Sequence, residues 1–348
     1  MNRQKSILFT KNFFFIISLF LFSNFVVWGQ NDTLVLKNND KIIGEIKQMD
    51  QSVVTVKTSY SDKDFKIKWR NVKQVSTEQN FLVSLSNGER FNSTVSLNDE
   101  DKAIVYKDGE PIAVDIKDIV YLKPLTSDFF SKMRFSTIAI GYNFTKSNNL
   151  KQLTINSTIY YTTFKWMLTG KYNSVLSEQD SADQTRRIDA SINMTRFMKK
   201  NWFYSGAVGF LSNDEQKLKL RTTFSGGFGK YLIHTNLMTL GTEAGLAYTK
   251  ERYNDDFNTI KNSLEAYFGA AYKIFDYKDL SLNTLATFYP SITEKDRYRL
   301  DFDINIKYDL PMDFYIQFSI NYNYDSQPVE GASSVDYVYQ TTFGWEFK

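Results

Sequence analysis

The sequence predicts an all-β protein, with a C-terminal transmembrane antiparallel β-barrel of about 12 strands preceded by a small duplicated SH3/Sm-like β domain. Three observations predict this fold class: an N-terminal export signal, long runs of alternating apolar and polar residues, and an aromatic content of 16%. The chain holds 29 Phe and 22 Tyr, although only 42% of it is hydrophobic. Outer-membrane barrels use such rings because alternate side chains face lipid and aromatic girdles mark both interfaces.

The first residues are typical of a secretory signal peptide. Arg3, Lys5 and Lys11 precede an uncharged apolar run, and the small residues Val27 and Gly29 stand where a signal peptidase cleaves. The run is about 15 residues long, shorter than the roughly 20 that cross a bilayer as a helix. We therefore expect residues 1–29 to be removed on export.

Composition excludes several classes of protein. The chain has no cysteine, which excludes a disulfide framework, a thiolate metal site and the acylated cysteine of a bacterial lipoprotein. With 42 basic and 39 acidic residues, the net charge of +3 gives no indication of a nucleic-acid partner. No second apolar stretch reaches helix-spanning length, and the mean hydropathy is −0.38, so a helical membrane protein is excluded.

Residues 30–124 contain one pattern twice and are predicted to form a periplasmic domain. Leu34–Ile46 aligns with Leu82–Val95, each an alternating strand, an Asn-centred turn and a second strand. Two copies of about 45 residues indicate either two small SH3-like or Sm-like barrels or one domain built from both. Trp69 aligns with Ile116 and is expected in the core.

Residues 131–348 have longer alternating runs, which predict the barrel. In the run that begins at Tyr298, every second residue is apolar and the residues between them are polar or charged. Because successive side chains point to opposite faces, one face meets lipid and the other meets water. The runs approach the ~9–11 residues of a tilted membrane-spanning strand. The predicted strands are 133–144, 150–161, 165–176, 184–197, 202–212, 217–233, 237–250, 259–275, 280–289, 298–310, 314–324 and 335–347.

The connections alternate in length, as they do in outer-membrane barrels. We expect the tight turns and both chain ends to face the periplasm, in the outer membrane of a Gram-negative-type bacterium. The tight turns are 162–164, 199–201, 234–236, 276–279 and 311–312. The looser outer loops are 177–183, 251–258, 291–297 and 326–334, together with short ones at 145–149 and 213–215.

Charged side chains on the parity opposite to the apolar residues are predicted to face the lumen. Facing lipid near the midplane, each Arg or Lys would cost about 2–4 kcal/mol. They either line a hydrated channel or pair across the barrel and close it, and the mixed signs favour pairing. The residues are Lys171, Arg187, Asp189, Lys219, Arg221, Glu243, Glu265, Arg299, Asp301, Asp303 and Lys307.

Aromatic residues at the predicted periplasmic ends of the strands are expected to form an interface girdle. They are Trp166, Trp202, Trp345 and Phe347. The last strand also resembles the C-terminal targeting strand that the barrel-assembly machinery reads, although Lys348 follows the final aromatic residue. This resemblance implies that machinery as a partner during biogenesis.

No catalytic residue, metal ligand or cofactor is predicted. The one histidine, His234, falls in a predicted turn and is expected to be solvated, and Ser225 differs from it in parity and depth. Some acidic residues of the outer loops suit Ca²⁺, but they form no complete loop motif. These residues are Glu251 with Asp255 and Asp256, and Glu294 with Asp296.

The architecture resembles a known family. The signal peptide, an L-x-N-x-D-x-I-x-G-x-I block and a C-terminal barrel of roughly 200 residues are similar to the YdiY-like salt-induced outer-membrane proteins. The block is formed by Leu36, Asn38, Asp40, Ile42, Gly44 and Ile46. The resemblance implies architecture and location, but no activity.

Two functions remain open at this point. The first is an envelope protein without catalysis that acts structurally or as a narrow passive channel. The alternative is a membrane-anchored binding module whose periplasmic domain docks a protein or a cell-wall component. Outer-membrane lipid is an expected partner in both cases, and nucleic acid in neither.

Overall fold

The computed structural model describes residues 32–97, 102–125, 133–145, 149–180, 184–214, 217–254, 258–328 and 334–345. The predicted signal peptide lies outside these residues. Within them the fold is all-β, and the helices are 3-10 helices of three residues. No helix in these ranges is long and apolar enough to cross a membrane.

The described residues of the N-terminal part form eleven short strands. They form an eight-stranded sheet and a three-stranded sheet. The strands are β1 (Asp32–Leu36), β2 (Lys41–Asp50), β3 (Val53–Lys57), β4 (Phe65–Lys68), β5 (Val72–Ser76), β6 (Phe81–Leu85), β7 (Arg90–Ser93), β8 (Val95–Leu97), β9 (Ala103–Lys107), β10 (Glu110–Val114) and β11 (Ile119–Pro124).

The strand pairing repeats the duplication seen in the sequence. In the first copy the strands pair in the order β5-β1-β2-β3-β4. In the second copy β11, β6 and β7 pair in the same way, followed by β8, β9 and β10. A 3-10 helix precedes the last strand of each copy, at Trp69–Asn71 and at Ile116–Asp118. Met49 of β2 pairs with Leu122 of β11 and joins the copies.

Both copies contribute to one hydrophobic core. Leu34 and Ile46 from the first copy and Phe81 and Val105 from the second are fully buried in a single cluster. Trp69 is 2% exposed, which confirms its predicted core position, and its Nε1 donates a hydrogen bond of 2.9 Å to the carbonyl oxygen of the aligned residue Ile116. The two copies therefore form one domain, called the front domain below.

The C-terminal part is a twelve-stranded antiparallel sheet, which confirms the predicted strand number and the strand ends to within three residues where they are described. Each strand pairs with the next along the chain. The strands are β12 (Met133–Thr145), β13 (Leu150–Thr162), β14 (Trp166–Glu178), β15 (Thr185–Phe197), β16 (Trp202–Asn213), β17 (Leu218–His234), β18 (Met238–Tyr253), β19 (Ile260–Tyr277), β20 (Leu280–Pro290), β21 (Tyr298–Asp309), β22 (Phe314–Asp325) and β23 (Val335–Trp345).

The two faces of this sheet differ in chemistry. One face, called the outer face, carries large apolar side chains that are 40–72% exposed, among them Ile140, Tyr142, Ile192, Phe224, Phe228, Leu246, Phe268, Tyr339 and Phe343. The other, called the inner face, carries charged and polar side chains, because the parity of each strand places them opposite the apolar ones.

The sheet curves around its inner face. Lys171 of β14 and Lys273 of β19 are close enough to interact electrostatically, although five strand steps separate them. On a flat sheet five steps would span about 24 Å. The inner face is therefore concave, and side chains on distant strands face each other across it.

Glycines on the inner face make room for large side chains. A Cβ at Gly227 would lie 2.8 Å from Glu243 Oε1 and would also meet the Tyr267 hydroxyl. A Cβ at Gly245 would lie 2.2 Å from the carbonyl oxygen of Gly226, so there the neighbouring backbone itself excludes a side chain. The space is filled by the sheet's own residues.

Gly245→Ala should therefore lower the free energy of unfolding by about 1–3 kcal/mol, as overpacking does. Gly209→Ala is the matched control, because a Cβ at Gly209 meets nothing within 4 Å. Urea unfolding followed by tryptophan fluorescence measures both. Equal midpoints for the two variants would contradict the close approach of β17 and β18.

Candidate functional site

The inner face holds a buried ion pair between two residues that the sequence predicted to face inward. Arg299 donates two hydrogen bonds to Glu265, of 3.0 Å from Nε and 2.6 Å from Nη2. The Glu265 side chain is 1% exposed and that of Arg299 13% exposed. Arg299 also lies 4.8 Å above the ring of Tyr289. A two-bond guanidinium–carboxylate pair fixes both side chains against the wall.

A second cluster is centred on Arg297, at the end of the sheet with the longer loops. Its side chain is 3% exposed and contacts three carboxylates: Glu294, Asp325 at 2.7 Å and Glu251 at 3.9 Å. Glu251 also accepts a hydrogen bond of 2.6 Å from Arg221 Nε. The inner face near the long loops is thus tightly packed and internally neutralised.

A further inner-face carboxylate, that of Glu243, is held by two hydroxyl groups. Its carboxylate accepts hydrogen bonds from the hydroxyls of Ser205 and Tyr267. Gly227, on the neighbouring strand, leaves the space in which these groups meet. The arrangement positions a carboxylate between strands β16, β18 and β19.

The pairing register places most of the predicted inward charges on the inner face. They are Lys171, Arg187, Asp189, Arg221, Glu243, Glu265, Arg299, Asp301, Asp303 and Lys307. Lys219 lies within a register shift between Leu218, which pairs with Tyr253, and Leu220, which pairs with Arg252, and its side chain is exposed. A one-residue shift of this kind changes which side chain points inward.

The short-turn end of the sheet contacts the front domain, and Arg90 lies at the centre of this junction. Its Nη2 donates a hydrogen bond of 3.2 Å to the carbonyl oxygen of Thr163, between β13 and β14. Its guanidinium lies 3.9 Å above the ring of Phe197, on the inner face of β15, and within electrostatic reach of Tyr231 of β17. Burial lowers the pKa of Arg90 to about 10, so it remains charged at neutral pH.

The turn between β6 and β7 is pressed against the turn between β15 and β16. Asn201 Nδ2 donates a hydrogen bond of 2.9 Å to the carbonyl oxygen of Ser86. Gly88 has a φ of +84°, and a Cβ there would lie 2.3 Å from the backbone nitrogen of Asn201. Only glycine tolerates both this conformation and this proximity.

His234 belongs to the same junction, so the prediction of a solvated turn histidine is wrong. It is the last residue of β17, stacks on Tyr231 at 5.2 Å between ring centroids, and its Nδ1 lies 2.8 Å from Asn201 Oδ1. Ser225 lies nine residues away in the same strand, which separates the two by about 30 Å.

Two further turns complete the junction. Asn236, between β17 and β18, donates hydrogen bonds of 2.9 Å and 2.7 Å from Nδ2 to the carbonyl oxygens of Lys117 and Ile119. Lys68 Nζ lies 3.4 Å from Asp279 Oδ1, in the turn between β19 and β20. Beside the turn between β13 and β14, a crevice of about 310 Å³ remains between the two parts of the chain.

Inside this end, the inner face presents lysines. Lys171 and Lys273 are both exposed, and Lys273 lies within electrostatic reach of Asp50. Asp50 belongs to the front domain, at the end of β2. The front domain therefore contributes a carboxylate that interacts electrostatically with Lys273 of the sheet.

The predicted girdle residues lie at the short-turn ends of their strands. Trp166 and Trp202 begin β14 and β16, and Trp345 ends β23. Arg196 lies 4.9 Å above the Trp166 ring and Lys230 Nζ 5.0 Å above the Trp202 ring. Phe347 lies outside the described residues. Rings with a cation above them suit the boundary between apolar and aqueous phases.

Two of the acidic residues considered for Ca²⁺ have basic partners. Glu251 and Glu294 contact Arg297, which explains why these carboxylates lie together. Asp255 and Asp256 lie outside the described residues. Within the described ranges no group of three or more His, Cys, Asp or Glu side chains is placed to hold a metal ion.

Sequence reasoning missed the junction and part of the inner-face network. Lys273 shares the parity of Glu265 in the same predicted strand, so the alternation contained a signal for it. Arg297 fell in a predicted loop, and Asn201 and Asn236 in predicted turns. Arg90 falls within the repeated stretch Leu82–Val95, and no sequence pattern distinguishes it.

These features define the class of protein: an all-β chain whose large antiparallel sheet is charged on a concave inner face, apolar on its outer face, and contacted at one end by a smaller β domain. A family model described as protein of unknown function DUF481 matches residues 138–347. The chain belongs to this family. The match is consistent with the YdiY-like resemblance, whose finer naming stays a prediction. The search of curated proteins gave no match.

Glu265→Gln should lower the free energy of unfolding by about 3 kcal/mol, because it leaves the charge of Arg299 without its carboxylate in a buried setting. Lys219→Gln, on an exposed lysine, should change it by less than about 0.5 kcal/mol. The double variant Glu265→Gln/Arg299→Gln should lose less than the sum of the two single losses, since the residues are coupled. If the losses in free energy of unfolding of the two single variants, measured by chemical unfolding, added up to that of the double variant, the coupling between Glu265 and Arg299 would be refuted.

Proposed function

We propose that the chain is an outer-membrane β-barrel protein of the bacterial envelope, in which β12 and β23 close the curved sheet and the front domain covers its periplasmic mouth. The main observation in support is that apolar side chains lie on one face of the sheet and charged side chains on the other. The outer face exposes aromatic and aliphatic side chains such as Ile140 and Phe343, at 72% and 66%. Monomeric soluble proteins rarely expose contiguous apolar surface of this extent.

The dimensions of the sheet support a membrane span. Its described strands are 11–18 residues long, whereas a tilted strand needs roughly 9–11 to cross the bilayer core. Short turns collect at the end that carries Trp166, Trp202 and Trp345, and longer connections at the other. This asymmetry is typical of barrels whose short turns face the periplasm.

The junction favours a barrel that is covered rather than a front domain presented freely to a partner. Four short turns of the sheet contact the front domain, through Thr163, Asn201, Asn236 and Asp279. The surface that a binding module would offer at this side is thus occupied by the barrel. The strand order and the 3-10 helix of each copy support an SH3/Sm-like origin of the front domain.

In its resting state, the protein acts as a covered envelope barrel. The ion-pair network around Arg297 fills the inner face near the outer loops, and the front domain lies at the opposite end. Neither arrangement requires catalysis. The inward charges serve mainly to neutralise one another.

The membrane assignment is tested by placing the same charged residue on either face of the sheet, at the same depth in the proposed bilayer. Ala286 and Leu285 are adjacent in β20, and the first points outward while the second points inward. Ala286→Arg should cost about 2–4 kcal/mol in lipid, whereas Leu285→Arg should be tolerated because its face is hydrated. The measurement is the yield of folded, heat-modifiable protein in the outer-membrane fraction.

Complete extraction of the wild-type protein by carbonate or salt would overturn the membrane assignment. So would equal tolerance of the two arginine variants, because a water-soluble sheet has no reason to distinguish them. A variant that folds in detergent but is absent from the membrane fraction counts against the localisation rather than the fold.

A further inference from the structure

A crevice of about 310 Å³ lies between the front domain and the turn that joins β13 and β14. Strands β6, β7 and β11 of the front domain line one side of it, and the turn lines the other. Its volume is at the lower end of those at which clefts bind small ligands. The lining residues include Leu82, Asn92 and Lys123 of the front domain, and Phe164, Lys165 and Trp166 of the turn.

The front-domain side of the crevice is a row of side chains that point away from the core. Leu82 of β6 pairs directly with Lys123 of β11 on one side and with Asn92 of β7 on the other. Directly paired residues point to the same face, so the three side chains lie next to one another. The core contains Phe81 and Val83, which point to the opposite face, yet Leu82 is only 2% exposed. An apolar residue is thus covered at the junction, with a lysine beside it.

The other side of the crevice is a turn whose shape is fixed by hydrogen bonds. The backbone nitrogen of Thr163 donates to the carbonyl oxygen of Trp166 at 2.8 Å, and the backbone nitrogen of Trp166 donates to Thr163 Oγ1 at 3.0 Å. Arg90 of the front domain donates to the Thr163 carbonyl oxygen. The turn therefore holds Phe164 and Lys165 beside the crevice, with Lys165 Nζ 4.9 Å from the centre of the Phe164 ring.

The chemistry of the lining favours an anion that is attached to an apolar group. Lys123 and Lys165 come from opposite sides of the crevice, and none of the described residues that line it is acidic. Leu82, Phe164 and Trp166 add apolar surface to the same crevice. A free phosphate ion would leave this apolar surface in water, whereas a phospholipid offers a phosphate to the lysines and hydrocarbon to the rings.

Trp166 connects the crevice to the outer face of the sheet. Because side chains alternate along a strand, Trp166 points to the same face as Leu168, which is 38% exposed. Leu168 pairs with Met194, which is 41% exposed on that face. Apolar surface therefore continues from the crevice onto the face that we assign to lipid, at the end of the sheet where the girdle residues lie.

We propose that this crevice binds the headgroup of an anionic glycerophospholipid of the periplasmic leaflet, with the phosphate between Lys123 and Lys165 and the acyl chains along Trp166 and Leu168. The proposal rests on the membrane assignment made above and adds a ligand site to it. A lipid bound in this way contacts the front domain and the barrel at once, so it stabilises their junction.

Brominated lipids test the site, because bromine quenches tryptophan fluorescence only at close range. The full chain with Trp202→Phe/Trp345→Phe is reconstituted in phosphatidylcholine vesicles that contain phosphatidylglycerol brominated on its acyl chains. Trp166 then reports on the girdle, since Trp69 is buried in the front-domain core. The association constant for phosphatidylglycerol should exceed that for brominated phosphatidylcholine by about tenfold or more, because each lysine near an anionic headgroup contributes about fivefold.

Lys123→Gln/Lys165→Gln should lower this preference by about tenfold or more. The matched control is Lys66→Gln/Lys278→Gln, which removes one lysine from the front domain and one from a short turn, where Lys278 Nζ lies 5.6 Å from the centre of the Tyr277 ring. Both control lysines are exposed, and neither lines the crevice. Equal effects of the two double variants on the quenching of Trp166 would overturn the site, because general attraction of anionic lipid to the surface would then explain the preference.

Asn92→Phe tests the crevice itself while both lysines are kept. The added ring occupies part of the crevice, so the preference for phosphatidylglycerol should fall about as far as it does in Lys123→Gln/Lys165→Gln. A preference that survives in Asn92→Phe would show that the lysines act from the open surface, and the crevice would be excluded as the site.

Inorganic phosphate distinguishes a lipid headgroup from a soluble anion. At matched ionic strength, phosphate added to the vesicles should leave the quenching by phosphatidylglycerol unchanged. Displacement of the lipid by phosphate would assign the crevice to a soluble anion, and the lipid assignment would be wrong.

Failure of the lipid site and failure of the membrane assignment give different results. If the protein inserts and migrates as a heat-modifiable band while Trp166 shows no preference for phosphatidylglycerol, the lipid site is wrong and the barrel stands. If the wild-type protein neither inserts nor shows heat-modifiable migration, the membrane assignment is wrong, and the lipid site with it.

Discussion

The alternation of side chains between the two faces of a strand is the constraint on which the rest of the structure depends. Successive residues point to opposite sides, so a run such as β21 separates Phe302 and Ile304 from Asp301 and Asp303 without any further device. Repeated over twelve strands, this separation creates one apolar surface and one charged surface of the same sheet. The apolar surface is stable away from water, whereas the charged surface needs solvation or ion pairs. The two surfaces therefore need opposite environments. Curvature separates these environments, since the charged face is concave while the apolar face turns outward.

Enclosure determines how the inner charges are arranged. Near the long loops, Arg297 and Arg299 are almost fully withdrawn from water, and each contacts at least one carboxylate. Burying one such charge alone would be costly, so arginine and acid must be placed together. Gly227 on β17 also helps to accommodate a buried charge, because the space above it admits the Glu243 carboxylate and the Tyr267 hydroxyl. The packing of this half is thus a consequence of its charges as well as of its apolar residues.

The alternation of apolar and polar residues predicted the strands and their two faces. The features that do not depend on alternation were not predicted. The number of strands, their ends and the polarity of each face follow from period-two patterns. The duplication of the front domain follows from its sequence repeat. The register shift beside Lys219 was not predictable, because a bulge inserts one residue without changing composition. The junction was not predictable either: Asn201 and Asn236 bind backbone carbonyl oxygens, which every sequence possesses. Arg90 acquires its surroundings only through the relative position of two separately folded parts. His234 was misjudged for the same reason, since it lies at the end of the sheet that contacts the front domain, beside Asn201.

The two ends of the inner face differ in a way that bears on the front domain. Near the long loops, acids and arginines neutralise each other within the sheet, so that end is complete by itself. Near the short turns, Lys171 and Lys273 remain exposed and face one another, and a carboxylate within reach of Lys273 belongs to another part of the chain. For Arg299 the partner carboxylate, Glu265, lies on the sheet itself. For Lys273 the carboxylate lies on the front domain instead. Because the acid is Asp50 of the front domain, the charges at this end of the inner face are balanced by two parts of the chain together.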